Sequence, residues 1–266
     1  MSDAEDPRPS SWFPREMRAA FVFLTRVPVG GGPYTDDEWR ASTGHFPMVG
    51  AVLGVVLAAL AAALLPHFGA WPTALLVLSA SMLLTGAFHE DGLADTADAL
   101  GGAFTREKLF VILKDSRVGT YGAAALVVSI GLRAALLVEL GTAMPLAILL
   151  SQCVARLPPI ALMQQLPYVT SATSNEDMEA KSRLVVKATR RELGTAAAWV
   201  ALLVAAVCAA GGVSLGRVLV MALALAFAAT VLGMRFHRRA GGITGDFLGA
   251  TEQVSECIVL LVLVWH

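Results

Sequence analysis

The chain has 266 residues, 56% of them apolar and only 15% charged, and its 20 Lys and Arg against 21 Asp and Glu leave a formal net charge of -1. That composition is too oily for a soluble domain of this length and places the chain in a bilayer. The near-neutral charge, with no arginine-rich arm and no zinc-knuckle spacing, excludes nucleic acid as a partner.

The opening residues, MSDAEDPRPSSWFPREMRAA, are acidic and proline-rich and do not read as a cleaved signal peptide. The overlapping stretch SWFPREMRAAFVFLTRVPV mixes Trp12, Phe13, Phe21, Phe23 and Leu24 with Arg15, Arg18 and Arg26, a composition suited to a helix lying in the membrane interface. Residues 1–45 are expected to form a cytoplasmic arm with this amphipathic helix, within a single membrane-embedded domain spanning 1–266.

Apolar runs long enough to cross a bilayer, about 17–25 residues, fall near 46–65, 70–89, 119–140, 143–165, 195–213, 215–235 and 247–265. The expected fold is all-α and polytopic, with about seven transmembrane helices. Basic residues collect in the N-terminal arm (Arg8, Arg15, Arg18, Arg26), in the 90–118 connection (Lys114, Arg117), in the 166–194 connection (Lys181, Arg183) and near 236–246 (Arg238, Arg239). The alternate connections, 66–69, 141–142 and 212–214, hold none. By the positive-inside rule the N-terminus and every long connection face the cytoplasm and the C-terminus faces outward. Cys153, Cys208 and Cys257 lie far apart in apolar runs and read as small buried hydrophobes rather than metal ligands or disulfide partners.

The stretch GAFHEDGLADTADALGG breaks this pattern, because Glu90, Asp91, Asp95 and Asp98 arrive directly after an apolar run. At about 100° per residue a helix would hold Asp91, Asp95 and Asp98 within roughly 60° of one another. Such a stripe repels itself by a few tenths of a kcal/mol per pair, and burial at mid-bilayer costs about 2.5–3.5 kcal/mol per charge. A divalent cation relieves both penalties. All-oxygen ligands favour a hard ion, Mg²⁺ or Mn²⁺, and Mg²⁺ typically takes only a couple of carboxylates and completes its shell with substrate phosphate. The alternative is a solvated loop whose acids pair with Arg106, Lys108 and Lys114. His89 reads as a histidine at a helix end.

Downstream, KDSRVGTYG places Lys114, Asp115 and Arg117 at a cytoplasmic mouth, where the bases can clamp a diphosphate and Gly119 and Gly122 allow a close backbone approach. Arg133 and Arg156 lie within spans; each marks a functional site or the partner of an acid such as Glu139. Pro158 and Pro159 are expected to break the helix after Arg156. The last polar island, RRAGGITGDFLGATEQVSE, brings Thr244, Asp246, Gln253 and Glu256 to the same side, with Asp246 and Glu256 free to hold a second cation or orient a hydroxyl.

FLTRVPV, HFPMVG, HEDGLADTADALGG, KDSRVGTYG, ARLP and GGITGDFLGA, in that order, make nearly the whole chain resemble the cobalamin synthase family, the adenosylcobinamide-GDP ribazoletransferases. The middle stretch TSATSNEDMEAKSRLVVKATRREL matches nothing in that pattern. The acidic motif is also similar to that of the CDP-alcohol phosphotransferases, DxxDGxxAR followed by GxxxDxxxD, but the spacing DGLADTAD departs from it. The resemblance implies a multi-pass enzyme of the bacterial cytoplasmic (inner) membrane with its active site facing the cytoplasm. It further implies a Mg²⁺-dependent transfer of the cobinamide phosphoryl group from adenosylcobinamide-GDP to α-ribazole or its 5′-phosphate, releasing GMP late in cobalamin biosynthesis. On that reading Asp91, Asp95 and Asp98, with Glu90 assisting, hold Mg²⁺, and Asp98 takes the proton of the ribose hydroxyl. Asp115 and Glu256 are further candidate ligands. Lys114, Arg117 and Arg156 balance the departing GMP, and Arg26, Gly119, Thr244 and Asp246 join the substrate-binding set.

Two rivals remain at this point. A cation-coupled secondary transporter also carries acids and arginines in its spans, but it calls for acids at the midplane and an inverted repeat. A CDP-alcohol phosphotransferase making lipid keeps the metal chemistry and changes the substrate. A homo-oligomer is left open.

Overall fold

The computed structural model describes residues 13–169 and 187–265; Arg8, Trp12, Lys181 and Arg183, which entered the topology expectation, lie outside them. The described residues form helices α1 (Arg15–Leu24), α2 (Asp36–Ser42), α3 (Phe46–Phe68), α4 (Ala70–Thr85), α5 (Phe88–Gly102), α6 (Arg106–Ile112) and α7 (Thr120–Leu140). They continue with α8 (Met144–Val154), α9 (Leu157–Gln165), α10 (Arg190–Ala209), α11 (Leu215–Ala240) and α12 (Gly245–Val264). Among the described residues there is no strand, only an isolated parallel bridge between Tyr168 and Ile243.

By length and composition, five helical stretches among the described residues can cross a membrane: Asp36–Phe68, Thr120–Gln165, Arg190–Ala209, Leu215–Ala240 and Gly245–Val264. The pair α4 and α5 makes a sixth if counted as one span, although its halves meet at 91°. That elbow differs from the straight segment expected over 70–89. Gly86 (φ 70°) and Ala87 (φ 56°) are both left-handed, so the chain turns sharply and restarts at Phe88. The expected 143–165 segment is likewise divided, at Ala155–Arg156, and Pro158 and Pro159 sit in the first turn of α9, where no intrahelical N–H is needed. Gly141 (φ 52°) separates α7 from α8.

The helix ends follow their caps. Thr189 and Glu192 form a reciprocal capping box that starts α10 earlier than hydropathy alone suggests. Gly241 (φ 84°) ends α11, and Thr244 accepts from the Phe247 amide to open α12 after the short link 241–244. Helix α1 packs on α2 and α3, burying Ala19, Ala20 and Leu24, while Phe23 stacks on Phe46 at 5.5 Å.

Two apolar cores result. One gathers Phe46, Val49, Ile160, Phe236 and Phe247, with Phe236 and Phe247 stacked at 4.2 Å. The other gathers Leu57, Val77, Leu137, Ile148, Val259 and Leu260. Helix α12 passes through both and is the most enclosed of the crossing stretches, 78% buried against 11% for α11. It packs on α5, α7, α8, α9 and α11. Its contact with α5 is backbone to backbone: a Cβ on Gly92 would lie 2.9 Å from the Asp246 carbonyl oxygen and 3.2 Å from Gly249 Cα. Gly92→Val is therefore expected to push α5 off α12 and cost about 1–3 kcal/mol by overpacking. Gly131→Ala, on α7 with nothing within 4 Å, is expected to be neutral or slightly stabilising. Thermal unfolding of the two variants in detergent checks the contrast.

Candidate active site

The Gly92–Gly249 crossing sets the acids. Helix α5 carries Asp91, Asp95 and Asp98 on one stripe, as its period requires, and the close approach lays Asp246 at the start of α12 against it. Asp91, Asp98 and Asp246 all act electrostatically on Asp95. Asp91 is exposed and Asp95 and Asp246 are half-buried, so these three open to the outside. No described residue donates a hydrogen bond to the carboxylates of Asp91 or Asp95.

Asp98 has a different environment. Its Oδ2 accepts from the Gly119 amide at 2.7 Å and its Oδ1 from the Gly122 amide at 2.9 Å. Gly119 is the N-cap residue of α7, so a carboxylate from another helix satisfies the free N–H groups of that helix end and meets its positive dipole. The two glycines are needed for this contact: a Cβ on Gly119 would lie 2.5 Å from Asp98 Oδ1, and one on Gly122 would overlap Oδ2. The close backbone approach expected of Gly119 and Gly122 is thus made to Asp98.

Beneath the acid mouth, between the two cores, lies a belt of buried charge. Arg133 on α7 bonds Glu256 Oε2 at 2.7 Å and Glu90 Oε1 at 3.1 Å. Gln152 donates to Glu256 Oε1, and Gln253 donates to Glu90 Oε1 at 3.3 Å and to Glu252 Oε2 at 3.2 Å. Arg156 donates to the Gln152 carbonyl and pairs with Glu252 Oε1 at 3.5 Å, while His89 Nδ1 lies 3.7 Å from Glu252 Oε2. Arg133, Arg156, Glu252 and Glu256 are at most 3% exposed.

The expected site residues therefore separate in space. Asp91, Asp95 and Asp246 come together at the mouth. Glu90 and Glu256, expected among the metal ligands, are engaged in the belt by Arg133, whose partners are these two rather than the exposed Glu139. Arg156 lies buried beside Glu252, and Thr244 caps α12. Asp115 and Arg117 hold each other on the exposed connection, with Arg117 bonding both carboxylate oxygens at 2.9 and 2.6 Å. That guanidinium brings the Asp115 carboxyl down to about 2. Lys114 is exposed on the same connection, and Arg26 donates its amide to the Leu84 carbonyl while its guanidinium crosses Gly86 at the α4–α5 elbow. Glu252 and Gln152 escaped the sequence reading. Their signal was a polar residue recurring four positions apart in an apolar span: Ser129 and Arg133, Gln152 and Arg156, Glu252 and Glu256.

Among the described residues no group of three or more Asp, Glu, His or Cys side chains is arranged to hold a metal ion outright. The mouth fits Mg²⁺ nonetheless, because that ion usually keeps its waters, takes one or two carboxylates and completes its shell with substrate phosphate. Asp91 and Asp95 offer hard oxygens with no competing donor, and Asp246 stands opposite.

The belt generates a stability prediction. Arg133→Met strands Glu90 and Glu256 in a dry interior and is expected to cost about 3–5 kcal/mol. Adding Glu90→Gln and Glu256→Gln to that variant is expected to recover much of the loss. Unfolding in detergent, followed for the single and the triple variant, reads the difference.

Comparison with known proteins gives the family. Curated relatives described as adenosylcobinamide-GDP ribazoletransferase include one from Leptothrix cholodnii, 40% identical over 91% of this chain and 92% of its own length. Another, from Polaromonas sp., is 38% identical over 93% of this chain and 95% of its own length. A third, from Vibrio cholerae, is 34% identical over 92% of this chain and 91% of its own length. No solved structure matches. The family model described as cobalamin-5-phosphate synthase matches residues 16–264, taking in both the acid mouth and the belt beneath it, and the chain belongs to that family.

Proposed function

We propose that this chain transfers the cobinamide phosphoryl group of adenosylcobinamide-GDP to a ribose hydroxyl of α-ribazole or its 5′-phosphate, releasing GMP, with Mg²⁺ as cofactor. The activity named for its relatives supports the substrates. The observation that carries the chemistry is the pair of unpartnered carboxylates, Asp91 and Asp95, facing Asp246 across the Gly92–Gly249 crossing.

Phosphoryl transfer asks a protein for positioning and for neutralisation of charge. Asp91, Asp95 and Asp246 would hold Mg²⁺, which when bound neutralises charge on the diphosphate oxygens. The ribose oxygen forms a bond to the cobinamide phosphorus as the bond to the bridging oxygen breaks and GMP leaves. Asp98, with both oxygens committed to the α7 amides, becomes a positioning residue instead of the base. The hydroxyl proton then passes to water at the open mouth, where Asp91 is exposed. Arg26, Lys114 and Arg117 supply positive charge on the exposed side.

The topology proposed is seven crossings, with the acid mouth and the N-terminus in the cytoplasm and α1 at the interface. Support comes from the stretch Thr120–Gln165, which gives Leu136 and Leu137 to one core before Gly141 and Ile160 and Leu162 to the other after it, as two crossings would. Basic residues meet at the C-terminal end of α5, where Arg239 donates to the Leu100 and Ala103 carbonyls and Arg106 approaches Gly241, and the positive-inside rule assigns such an end to the cytoplasm.

Purified protein given adenosylcobinamide-GDP, α-ribazole and Mg²⁺ is expected to release GMP. Chelation should abolish release, and Asp95→Asn should lower it by roughly 100-fold or more with unfolding unchanged. Full turnover by Asp95→Asn, or turnover indifferent to chelator, would overturn the metal assignment.

A further inference from the structure

Two cavities, of about 250 and 360 Å³, lie end to end along α11. Ala161 on α9 and Ala226 and Ala229 on α11 line both, so they form one slot, of the roughly 300–1,000 Å³ typical of ligand sites. Small side chains open it: Ala222, Ala226, Ala229 and Gly233 recur every three or four positions and share one face of α11. A face like this usually admits the backbone of a neighbouring helix. Here α9 closes on it at Gly233, where a Cβ would lie 2.8 Å from Leu162 Cδ2, but α9 is nine residues long and leaves the rest open.

The slot changes character along its length. Where α10 walls it, the lining is wholly apolar, from Val154 and Leu157 to Val204 and Leu225. At the end that leads through 241–244 to the acid mouth, Gln165, Thr230 and His237 join it. His237 and Arg238 stand in the last turn of α11, both exposed and neither with a hydrogen-bond or ion-pair partner among the described residues. Helix α10, joined to α11 by the short link 210–214, begins at the same end with exposed Arg190 and Arg191. From Val218 to His237 the slot follows α11 for roughly 28 Å at 1.5 Å per residue, close to the ~30 Å of a bilayer's hydrocarbon core.

We propose that this slot is a specific site for an anionic phospholipid of the leaflet on the acid-mouth side, with one acyl chain lying between α9 and α11 and the phosphate at His237 and Arg238. Water is a poor occupant of an apolar cavity, and α11, the least enclosed of the crossing stretches, presents this one to hydrocarbon. A second copy of this chain would have to bring a helix, about 10–12 Å across with its side chains, into a recess already walled by α8, α9, α10 and α11. A flexible hydrocarbon chain needs no such width. Filling the slot with hydrocarbon taken from hydrocarbon gains packing and little else, so selectivity falls to the charged end. There each basic residue near the membrane surface is worth roughly fivefold in affinity for an anionic headgroup. The site also bears on the acid mouth. The Pro167 carbonyl, just beyond α9, accepts from the Ile243 amide at 2.9 Å, and the chain then runs through Thr244 into Asp246. An occupant that holds α9 against α11 therefore steadies the base of α12.

The test strips the full chain of lipid in a neutral detergent and titrates it with dioleoyl phosphatidylglycerol or dioleoyl phosphatidylcholine, counting bound lipids by native mass spectrometry. The first phosphatidylglycerol is expected to bind roughly tenfold tighter than the first phosphatidylcholine. The double variant His237→Gln, Arg238→Gln should remove that preference, and Ala226→Phe, which fills the slot, should remove the tight lipid itself. Val231→Phe, on the exposed face of α11 outside the slot, should keep both. A phosphatidylglycerol with a diazirine on its acyl chain is expected to label peptides within 154–166 and 218–237. Thermal unfolding separates loss of the site from loss of the fold: phosphatidylglycerol should raise the Tm of the unmodified chain and of Val231→Phe and leave that of the double variant unmoved. Equal binding of the two lipids, a label spread evenly over the other crossing helices, or a double variant that binds like the unmodified chain would overturn the assignment. So would a dimer in detergent that Ala226→Phe dissociates, which gives the slot to a second copy. Displacement of the labelled lipid by α-ribazole or adenosylcobinamide-GDP would overturn it too, giving the slot to a substrate.

Discussion

The unequal count of buried charges governs this structure. Three glutamates, Glu90, Glu252 and Glu256, share two arginines, Arg133 and Arg156, in a layer closed above and below by apolar cores. Each charge is tolerable in a bilayer only while its partners stay in reach, and the partners come from α5, α7, the α8–α9 junction and α12. A shift of any one of these helices would leave a charge unsatisfied. The layer thus fixes the register of four elements without adding net stability, because desolvation offsets most of the attraction between the pairs.

On that fixed frame the acid mouth is held to a small tolerance. Gly92 and Gly249 bring α5 and α12 together, and Asp98 ties α5 to the start of α7 through the Gly119 and Gly122 amides. Arg239 closes the other end of α5, donating to the Leu100 and Ala103 carbonyls. A helix held at its middle and at its C-terminal end presents Asp91 and Asp95 from a rigid surface, the arrangement that positioning chemistry requires. A self-repelling cluster of this kind is costly to maintain, which is the physical reason to assign it a ligand.

Much of this was legible in the sequence. Hydropathy found the apolar stretches Asp36–Phe68, Arg190–Ala209, Leu215–Ala240 and Gly245–Val264 to within their ends, the helical period found the stripe of aspartates, and Pro158 and Pro159 marked the break before α9. Three features were not legible, each because the deciding partner is distant in sequence. The elbow at Gly86–Ala87 sits inside an apolar run that continues to Phe88, so composition gives no sign of it. For Arg133 the sequence offered a functional site or an acid such as Glu139 nearby in the chain, whereas its partners lie 43 and 123 residues away. Asp98 looked like its neighbours on the stripe until the α7 amides took both of its oxygens, and Glu252 was hidden among the polar residues of the last island although it repeats at four with Glu256.

The central claim is a metal site that three carboxylates begin and a nucleotide diphosphate completes. Mn²⁺ binding to the purified protein, followed by electron paramagnetic resonance with and without GDP, tests it directly. A site built this way predicts weak Mn²⁺ binding alone and markedly tighter binding with GDP, both lost in Asp95→Asn. Mn²⁺ binding indifferent to GDP, or unchanged by Asp95→Asn, would contradict it.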